Sequence, residues 1–419
     1  MIPVIVAFIY TRCVNIGDIP YYLDKEELDA AMSAMSIALG NGNLLASPSA
    51  LVYVAAAIFG LRGGLFSIRI FRLLAVAGGL FGMIFSYLTV WEMTGKKRYG
   101  FLEAITVVSL PVFYLSQRSC VPAFRLLDIV PAAFFFLIKS VRSPKHSYRI
   151  AAAFFWILAL IIWIFDNRVM GPGFIPSNIM NIKALLWDDG HPFNVISGFG
   201  TVYVFSLPVA VVGMIVSFRK AFISIKEKKV DAYVILWVYI LIMFIAGMMA
   251  ENADTRTFNG LFFAVSLLIC EGLIIFCENL KGVMIIEVLV YLAAFILFSS
   301  FYHENINSEI NNSRDHEEGT VIDPGLGETI QSAAIVFPDR DIAVVGDDFS
   351  GRDLIIELYG NTDSYSSDRI SVDIEEITDL SGSTVYIIDQ FKHQDMINYL
   401  LSYGWKTAVT KEYTICYTM

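Results

Sequence analysis

The sequence predicts a polytopic α-helical membrane protein of about nine transmembrane helices, with a small extracytoplasmic α/β domain at its C-terminal end. Three observations predict it. The 419 residues are 56% hydrophobic and only 17% charged, with a mean hydropathy of +0.62, too apolar for one soluble domain. Long apolar runs follow one another, and the connections between them are alternately rich and poor in Lys and Arg. After Ser300 the character changes to a polar stretch followed by short alternating strand and helix signals.

The first run, MIPVIVAFIYTRCVNIG, has neither a basic leader nor a small-residue cleavage site and reads as uncleaved. It is short for a span of about 20 residues, and Arg12 interrupts it, as expected of a partly represented or truncated helix. Further runs fall at 67–94, 101–117, 121–138, 150–166, 197–218, 231–250, 258–277 and 283–302. Lys96, Lys97 and Arg98 lie in one connection, Lys139, Arg142, Lys145 and Arg149 in a second, and Arg219, Lys220, Lys226, Lys228 and Lys229 in a third. The excess of positive charge marks these as cytoplasmic. The N-terminus is then cytoplasmic, the loops 17–66 and 168–196 face outward, and the C-terminal domain is extracytoplasmic, in a multi-pass protein of the plasma or inner membrane. Within the first outer loop, SPSALVYVAAAIFGLRGG from Ser47 to Gly64 is apolar but short and broken by glycines, which suits an interfacial or re-entrant helix.

Residues 1–303 thus form the transmembrane domain, 304–320 a polar linker and 321–419 the α/β domain. In the last, DIAVVGDD and STVYIIDQ have the form of buried strands, and GRDLIIELYG and HQDMINYLLSYG that of short amphipathic helices with glycine stops. VVGDDFSG reads as an ordinary strand-to-helix turn, and no phosphate loop or nucleophile elbow is present. The formal charge of -10 excludes nucleic acid as a partner, since binding a phosphate backbone needs concentrated cations. The five cysteines are odd in number and scattered, giving neither a disulfide framework nor metal-ligand spacing.

The densest acidic stretch is YLDKEELDAAMSAMSIALG, Tyr22 to Gly40. Leu28, Met32, Met35 and Leu39 recur at helical spacing. Asp24 with Glu27 three residues on has the form of a capping box, and the other acids suit a solvated face near the positive end of the helix dipole. The same carboxylates, placed at the outer membrane surface, have a second use: they can meet a lipid-borne and a water-borne substrate together.

That loop, its alanine-rich helix ending at Gly40, then Pro48, Leu51, Tyr53 and FGLRGGLFSIRIFRLL from Phe59 to Leu74, resembles the GT-C glycosyltransferases. Within that superfamily it is similar to the protein O-mannosyltransferases and the bacterial lipid A aminoarabinose transferase. LSQRSCVPAFRLLDIVPAAFF, from Leu115 to Phe135, is similar to a later family segment with an Arg and a membrane-edge Asp. The family's first motif is usually Asp-Glu, whereas this chain has Asp24, Lys25, Glu26. The resemblance implies a GT-C-like fold and transfer of a sugar from a polyprenyl-phosphate donor to a glycan, lipid or protein acceptor on the outer face. It places the catalytic carboxylate at Asp24 or Glu26 and a second acidic site at Asp128.

An acceptor hydroxyl needs a base, and a positioned one contributes about 100- to 10,000-fold; one base acting alone implies inversion, because a retaining route needs a second carboxylate about 5 Å away. The leaving phosphate needs cations, and Arg69, Arg72, Arg118, Arg125, Arg168 and Lys183 are available, although long cationic side chains also snorkel to headgroups. Arg125 and Asp128, three residues apart, also suit a simple ion pair. The resemblance further implies that the loop 166–198 closes over the lipid donor, with roles for Lys183, Trp187, Asp188, Asp189 and His191. His191 beside two acids allows a divalent metal or an ordinary solvated loop, and no cofactor is otherwise implied. Outside the resemblance, a secondary transporter or an inactive membrane scaffold are the alternative functions; polar chemistry gathered at one face, without related halves, favours the enzyme.

Overall fold

The structure is a computed structural model that describes residues 1–38, 53–55, 57–58, 67–143, 145–166, 193, 195–196, 198–249, 256–279, 283–314, 321–322, 324–345, 352–360, 365–371, 377, 380–390, 392–410 and 413–418. The chain divides into two compact units. One is built chiefly from Met1–Ile19 and Phe71–Ser313, the other from Pro20–Gly42, Tyr53–Ile70 and Arg314–Met419.

The first unit is helical and membrane-type. Its elements are α1 (Ile2–Cys13), α3 (Ile68–Thr94, which begins in the other unit), α4 (Lys97–Ser109), α5 (Pro111–Arg118), α6 (Leu126–Arg142), α7 (His146–Asp166), α8 (Ser206–Lys226), α9 (Ala232–Met248), α10 (Asn259–Asn279) and α11 (Val283–Arg314). Among the described residues five helices are long and apolar enough to cross a membrane, within α3, α7, α8, α10 and α11, while α1 and α9 are shorter apolar helices. The run expected as one span at 101–117 is instead a pair, α4 and α5, bent by 64°. Leu110 between them is extended, at φ -69° and ψ 134°. Pro111 is the cause: it disfavours the helical conformation of the residue before it and brings no N–H to continue the ladder.

Helices in lipid associate by close packing, so small residues mark where backbones meet. Gly78, Gly79 and Gly82 do this on α3. A Cβ at Gly82 would lie 2.8 Å from the Asp128 Cα and 2.9 Å from the Leu127 carbonyl oxygen, and one at Gly79 would collide with Gln117. That carbonyl is the one Pro131, inside α6, cannot bond, so the missing side chain lets α3 cover it. Gly213 on α8 and Gly272 on α10 are reciprocal: the first faces the Leu268 carbonyl, the second the Val209 carbonyl. Polar pairs, one buried and one part-buried, add direction. Ser266 Oγ on α10 donates to Glu103 Oε1 on α4 at 2.7 Å. Lys220 on α8 pairs with Glu271 and donates to the Tyr233 hydroxyl at 2.9 Å.

The second unit holds β1 (Leu23–Asp24), α2 (Lys25–Ala38), β2 (Val321–Ile322), α12 (Gly325–Val336), β3 (Asp341–Val345), α13 (Arg352–Tyr359), β4 (Ile370–Ser371), β5 (Thr384–Asp389), α14 (Gln394–Ser402), β6 (Lys406–Val409) and β7 (Tyr413–Tyr417). Five strands form one sheet in the order β4-β3-β5-β7-β6. β3 is parallel to β4 and β5, and β7 is antiparallel to β5 and β6. The continuous apolar runs in β3 and β5 have this origin, since parallel strands are covered on both faces. Their core gathers Ala343, Val345, Tyr386, Ile388, Leu400 and Trp405.

Two features depart from the sequence reading. The stretch expected as a linker at 304–320 is helical as far as Arg314, because α11 runs on past its apolar part. The acidic loop also belongs to the same compact unit as the α/β sheet. Its β1 pairs antiparallel with β2, Leu23 opposite Ile322 and Asp24 opposite Val321, and α2 touches α13.

Candidate functional site

The acidic loop folds as a capping box. Asp24 Oδ1 accepts the Glu26 backbone N–H at 2.8 Å, and Glu27 Oε2 accepts the Asp24 N–H at 3.4 Å. Each carboxylate thereby takes up a donor that the first turn of α2 leaves without a helical partner. Asp24 is 1% exposed and Glu27 fully buried, whereas Glu26 points outward and is exposed. Asp29, half-buried on α2, has its carboxyl pushed above the usual range by desolvation, opposed by Lys25. Of the two candidate bases, then, Asp24 is buried at the helix start and Glu26 is solvent-exposed.

In the membrane unit, cations collect around the segment that leaves α1. Arg118, the last residue of α5, donates from Nη1 to the carbonyls of Thr11 (3.1 Å) and Arg12 (2.9 Å). From Nη2 it donates to those of Val14 (2.9 Å) and Ile19 (2.7 Å). The last carbonyls of a helix have no N–H partner and carry the negative end of its dipole, so a guanidinium there answers both needs. Arg72 reaches the same segment, with Nη1 3.4 Å from the Ile16 carbonyl oxygen. Tyr114 donates to the Thr11 carbonyl at 3.2 Å and lies 3.1 Å from His303 Nε2.

Arg12 completes the group and is absent from the site residues expected from sequence. It is fully buried, with Nε donating to Gln117 Oε1 at 3.0 Å and Nη2 to the Val108 carbonyl at 2.6 Å. Its guanidinium lies over the rings of Phe8, Tyr114 and Phe295 at 4.9, 4.6 and 5.3 Å. A charge in the middle of an apolar run was the signal available, because a buried ionisable residue in such a segment is costly and is retained for a role. Among the described residues no carboxylate comes within ion-pair distance of Arg12 or Arg118, and Arg118 Nε is buried without a hydrogen-bond partner. Aromatic faces, amide groups and carbonyls hold the charges of Arg12 and Arg118.

Arg125 and Asp128 form the i, i+3 ion pair, 2.7 Å between Nη1 and Oδ2, both buried. Arg125 also donates to the carbonyls of Ala75 (3.0 Å) and Ser119 (3.2 Å) and to that of Ser116. A Cβ at Gly78 would sit 2.6 Å from Asp128 Oδ2, so this pair ties α3, α5 and α6 together at a closely packed point. Arg69 is exposed at the start of α3, in the other unit. Arg168, Lys183, Trp187, Asp188, Asp189 and His191 lie outside the described residues. Among the described residues no three His, Cys, Asp or Glu side chains are grouped to hold a metal ion. Glu271 and Glu287 are both engaged, the first with Lys220 and the second accepting from Cys277 Sγ at 2.9 Å.

No family model matches the chain, and no curated protein matches it. Among solved structures, the crystal structure of ArnT from Cupriavidus metallidurans bound to undecaprenyl phosphate is similar with a TM-score of 0.49 and 8% sequence identity, over 99% of this chain and 97% of that one.

Proposed function

We propose that this protein is a membrane glycosyltransferase that moves a sugar from a polyprenyl-phosphate donor to an acceptor hydroxyl on the outer face of the membrane, with inversion. The observation that supports this reading is the pair of buried guanidiniums of Arg12 and Arg118, the second bonded to the carbonyls of Thr11, Arg12, Val14 and Ile19, with no carboxylate among the described residues within ion-pair distance of either. A buried excess of positive charge at the end of an apolar helix favours an anion in or at the membrane, and a lipid phosphate is such an anion. In the proposed reaction the acceptor oxygen attacks the anomeric carbon and the bond to the phosphate oxygen breaks. The phosphate leaves with the electron pair, and the acceptor proton passes to a carboxylate. Asp24 or Glu26 is that base. Arg69, Arg125, Arg168 and Lys183 remain candidates for the donor phosphate beside Arg72 and Arg118, Asp128 for the second acidic site, and Trp187, Asp188 and His191 for the closing loop. A divalent metal is not required by this scheme.

Asp24→Asn tests the proposal cleanly. Asparagine is as good an N-cap as aspartate, so the hydrogen bond to Glu26 survives while the base is removed. Purified protein in liposomes with a labelled polyprenyl-phosphate sugar should transfer label, and Asp24→Asn or Glu26→Gln should lower the rate by about 100-fold or more at unchanged thermal stability. A second reading, a scaffold without activity, is favoured by the engagement of Asp24 in its own helix cap. Absence of transfer by the native protein with every acceptor class would leave that reading standing.

A further inference from the structure

The membrane unit carries a second feature that sugar transfer does not use. Helices α6, α7 and α9 line an open groove of about 760 Å³, with Ile157, Leu160, Val238 and Ile242 of its lining exposed. Its floor includes Val130 and Ala159, and Trp156 and Trp163 line its α7 side. On α9 the lining runs from Val234 to Ala246, about 18 Å at helical rise, with Val230 just before the helix. The space is therefore a slot parallel to the helices. The lining is apolar throughout apart from the Tyr239 hydroxyl and the indole N–H groups, and that hydroxyl is already committed to the Gly260 carbonyl at 2.6 Å. Such a slot offers nothing to a sugar and suits a hydrocarbon chain.

Charge distinguishes its two ends. Val230 lies between Lys228 and Lys229 on one side and Asp231 on the other, whose carboxylate is taken up capping α9, and Lys145 and Arg149 flank the start of α7. Spans that alternate in direction bring the starts of α7 and α9 to the same end of the slot. Lys229 is paired with Glu227 at 2.8 Å, but Lys145, Arg149 and Lys228 are exposed and, among the described residues, lie within ion-pair distance of no carboxylate. The far end is lined by Leu126, Met243 and Ala246; among the described residues the charges flanking it, Arg125 beside Leu126 and Asp128, are paired with each other.

We propose that this slot binds one acyl chain of an anionic glycerophospholipid, whose headgroup is held by Lys145, Arg149 and Lys228. The basic end selects the leaflet. A lipid on that side presents its phosphate to the three cations and its chain to the slot, whereas a polyprenyl phosphate serving as donor would present its phosphate at the opposite end. The proposal is independent of the enzymatic reading.

The two tryptophans supply the measurement. The full-length protein is reconstituted in phosphatidylcholine vesicles containing a minor fraction of lipid brominated on its acyl chains, either phosphatidylglycerol or phosphatidylcholine. Quenching is compared with that of Trp156→Phe/Trp163→Phe to isolate these two residues. The expected result is stronger quenching by the brominated phosphatidylglycerol, with local enrichment of about fivefold for each engaged cation. The preference should vanish in Lys145→Glu/Arg149→Glu/Lys228→Glu, a change confined to exposed side chains. Ala159→Phe, which fills the floor, should lower quenching by both lipids. Equal quenching by the two lipids in the native protein would overturn the proposal, as would a preference that survives charge reversal. Displacement of the brominated lipid by a polyprenyl phosphate, but not by unlabelled phosphatidylglycerol, would assign the slot to the other lipid class and equally overturn it.

Discussion

At the scale of single residues, the arginines show how one chemical need can be met in different ways. Arg125 has a carboxylate partner and three carbonyls, so it neutralises and braces. Arg118 has four carbonyls, two at the end of α1 and two in the segment that follows it, so it braces without a carboxylate partner among the described residues. Truncation of Arg118 to Ala should cost about 3 kcal/mol, because four carbonyls, one buried and three part-buried, lose a charged donor. Lysine should restore only part, since an ammonium cannot reproduce the planar fork that spans Thr11 to Ile19. Thermal unfolding of the two variants in detergent checks this, and equal stability of Ala and Lys would show that the fork is not what matters. The capping box at Asp24 and Glu27 and the pairing of Arg125 with Asp128 were both legible in the sequence, because each depends on a spacing of three residues. The convergence of Arg12, Arg72 and Arg118 was not, because it depends on the turn the chain takes after α1 and on the break at Pro111. Those are properties of packing, and local spacing carries no record of them.

At the scale of elements, apolar runs revealed helices well and helix ends less well. The break between α4 and α5 was written in the Leu110–Pro111 pair, yet hydropathy averages across it and reports one span. α11 continues to Arg314 because helical hydrogen bonding is indifferent to whether side chains are apolar, so a polar sequence beginning at Tyr302 marks a change of surroundings and not of conformation. Glycines on α3, α8 and α10 were visible as letters but gained meaning only from the carbonyls they face. Gly82→Leu and Gly213→Leu should each destabilise by about 2 kcal/mol or prevent assembly. Gly198→Ala is the control, since no atom of the described residues lies within 4 Å of a Cβ there; the φ of +84° at that glycine makes its cost local backbone strain. Yield of folded protein after mild detergent extraction separates these outcomes. In the α/β sheet, strands β3 and β5 and helices α13 and α14 fall where their apolar patterns lie, since buried parallel strands and glycine-stopped helices are local signals. Cys416 on β7 gives that sheet a probe. Burial pushes its thiol up to about 12, so near pH 8 the thiolate is scarcer than in the unfolded chain by about a thousandfold. Alkylation should stay slow as pH rises toward 9 and accelerate at the denaturant concentration where the sheet unfolds; fast labelling of native protein would contradict the burial.

At the scale of the whole chain, sequence distance hides the most consequential connection. The acidic loop follows α1 by a few residues, and its helical spacing describes α2 adequately, but its structural partner is β2, close to three hundred residues further on. Loop-closure entropy grows slowly with separation, so such a pairing is affordable, yet no local pattern announces it. A two-residue strand is also too short to show alternation. The pairing places the backbone of Asp24 in register with Val321, so the entry to α2 is fixed from two sides: its own capping box and the strand leading into the α/β sheet. This coupling makes a prediction separate from catalysis. Val321→Pro/Ile322→Pro removes the N–H donors of β2 while leaving the sheet of β3 to β7 intact. If the ladder contributes like an ordinary hydrogen bond, amide exchange at Glu26, Glu27 and Leu28 should quicken by about fivefold, while exchange in β3 and β5 stays unchanged. Parallel loss of protection in the sheet would mean that the substitution unfolded the domain. Unchanged exchange at all three α2 amides would mean that the capping box alone holds the loop, and that the register between Asp24 and Val321 constrains nothing.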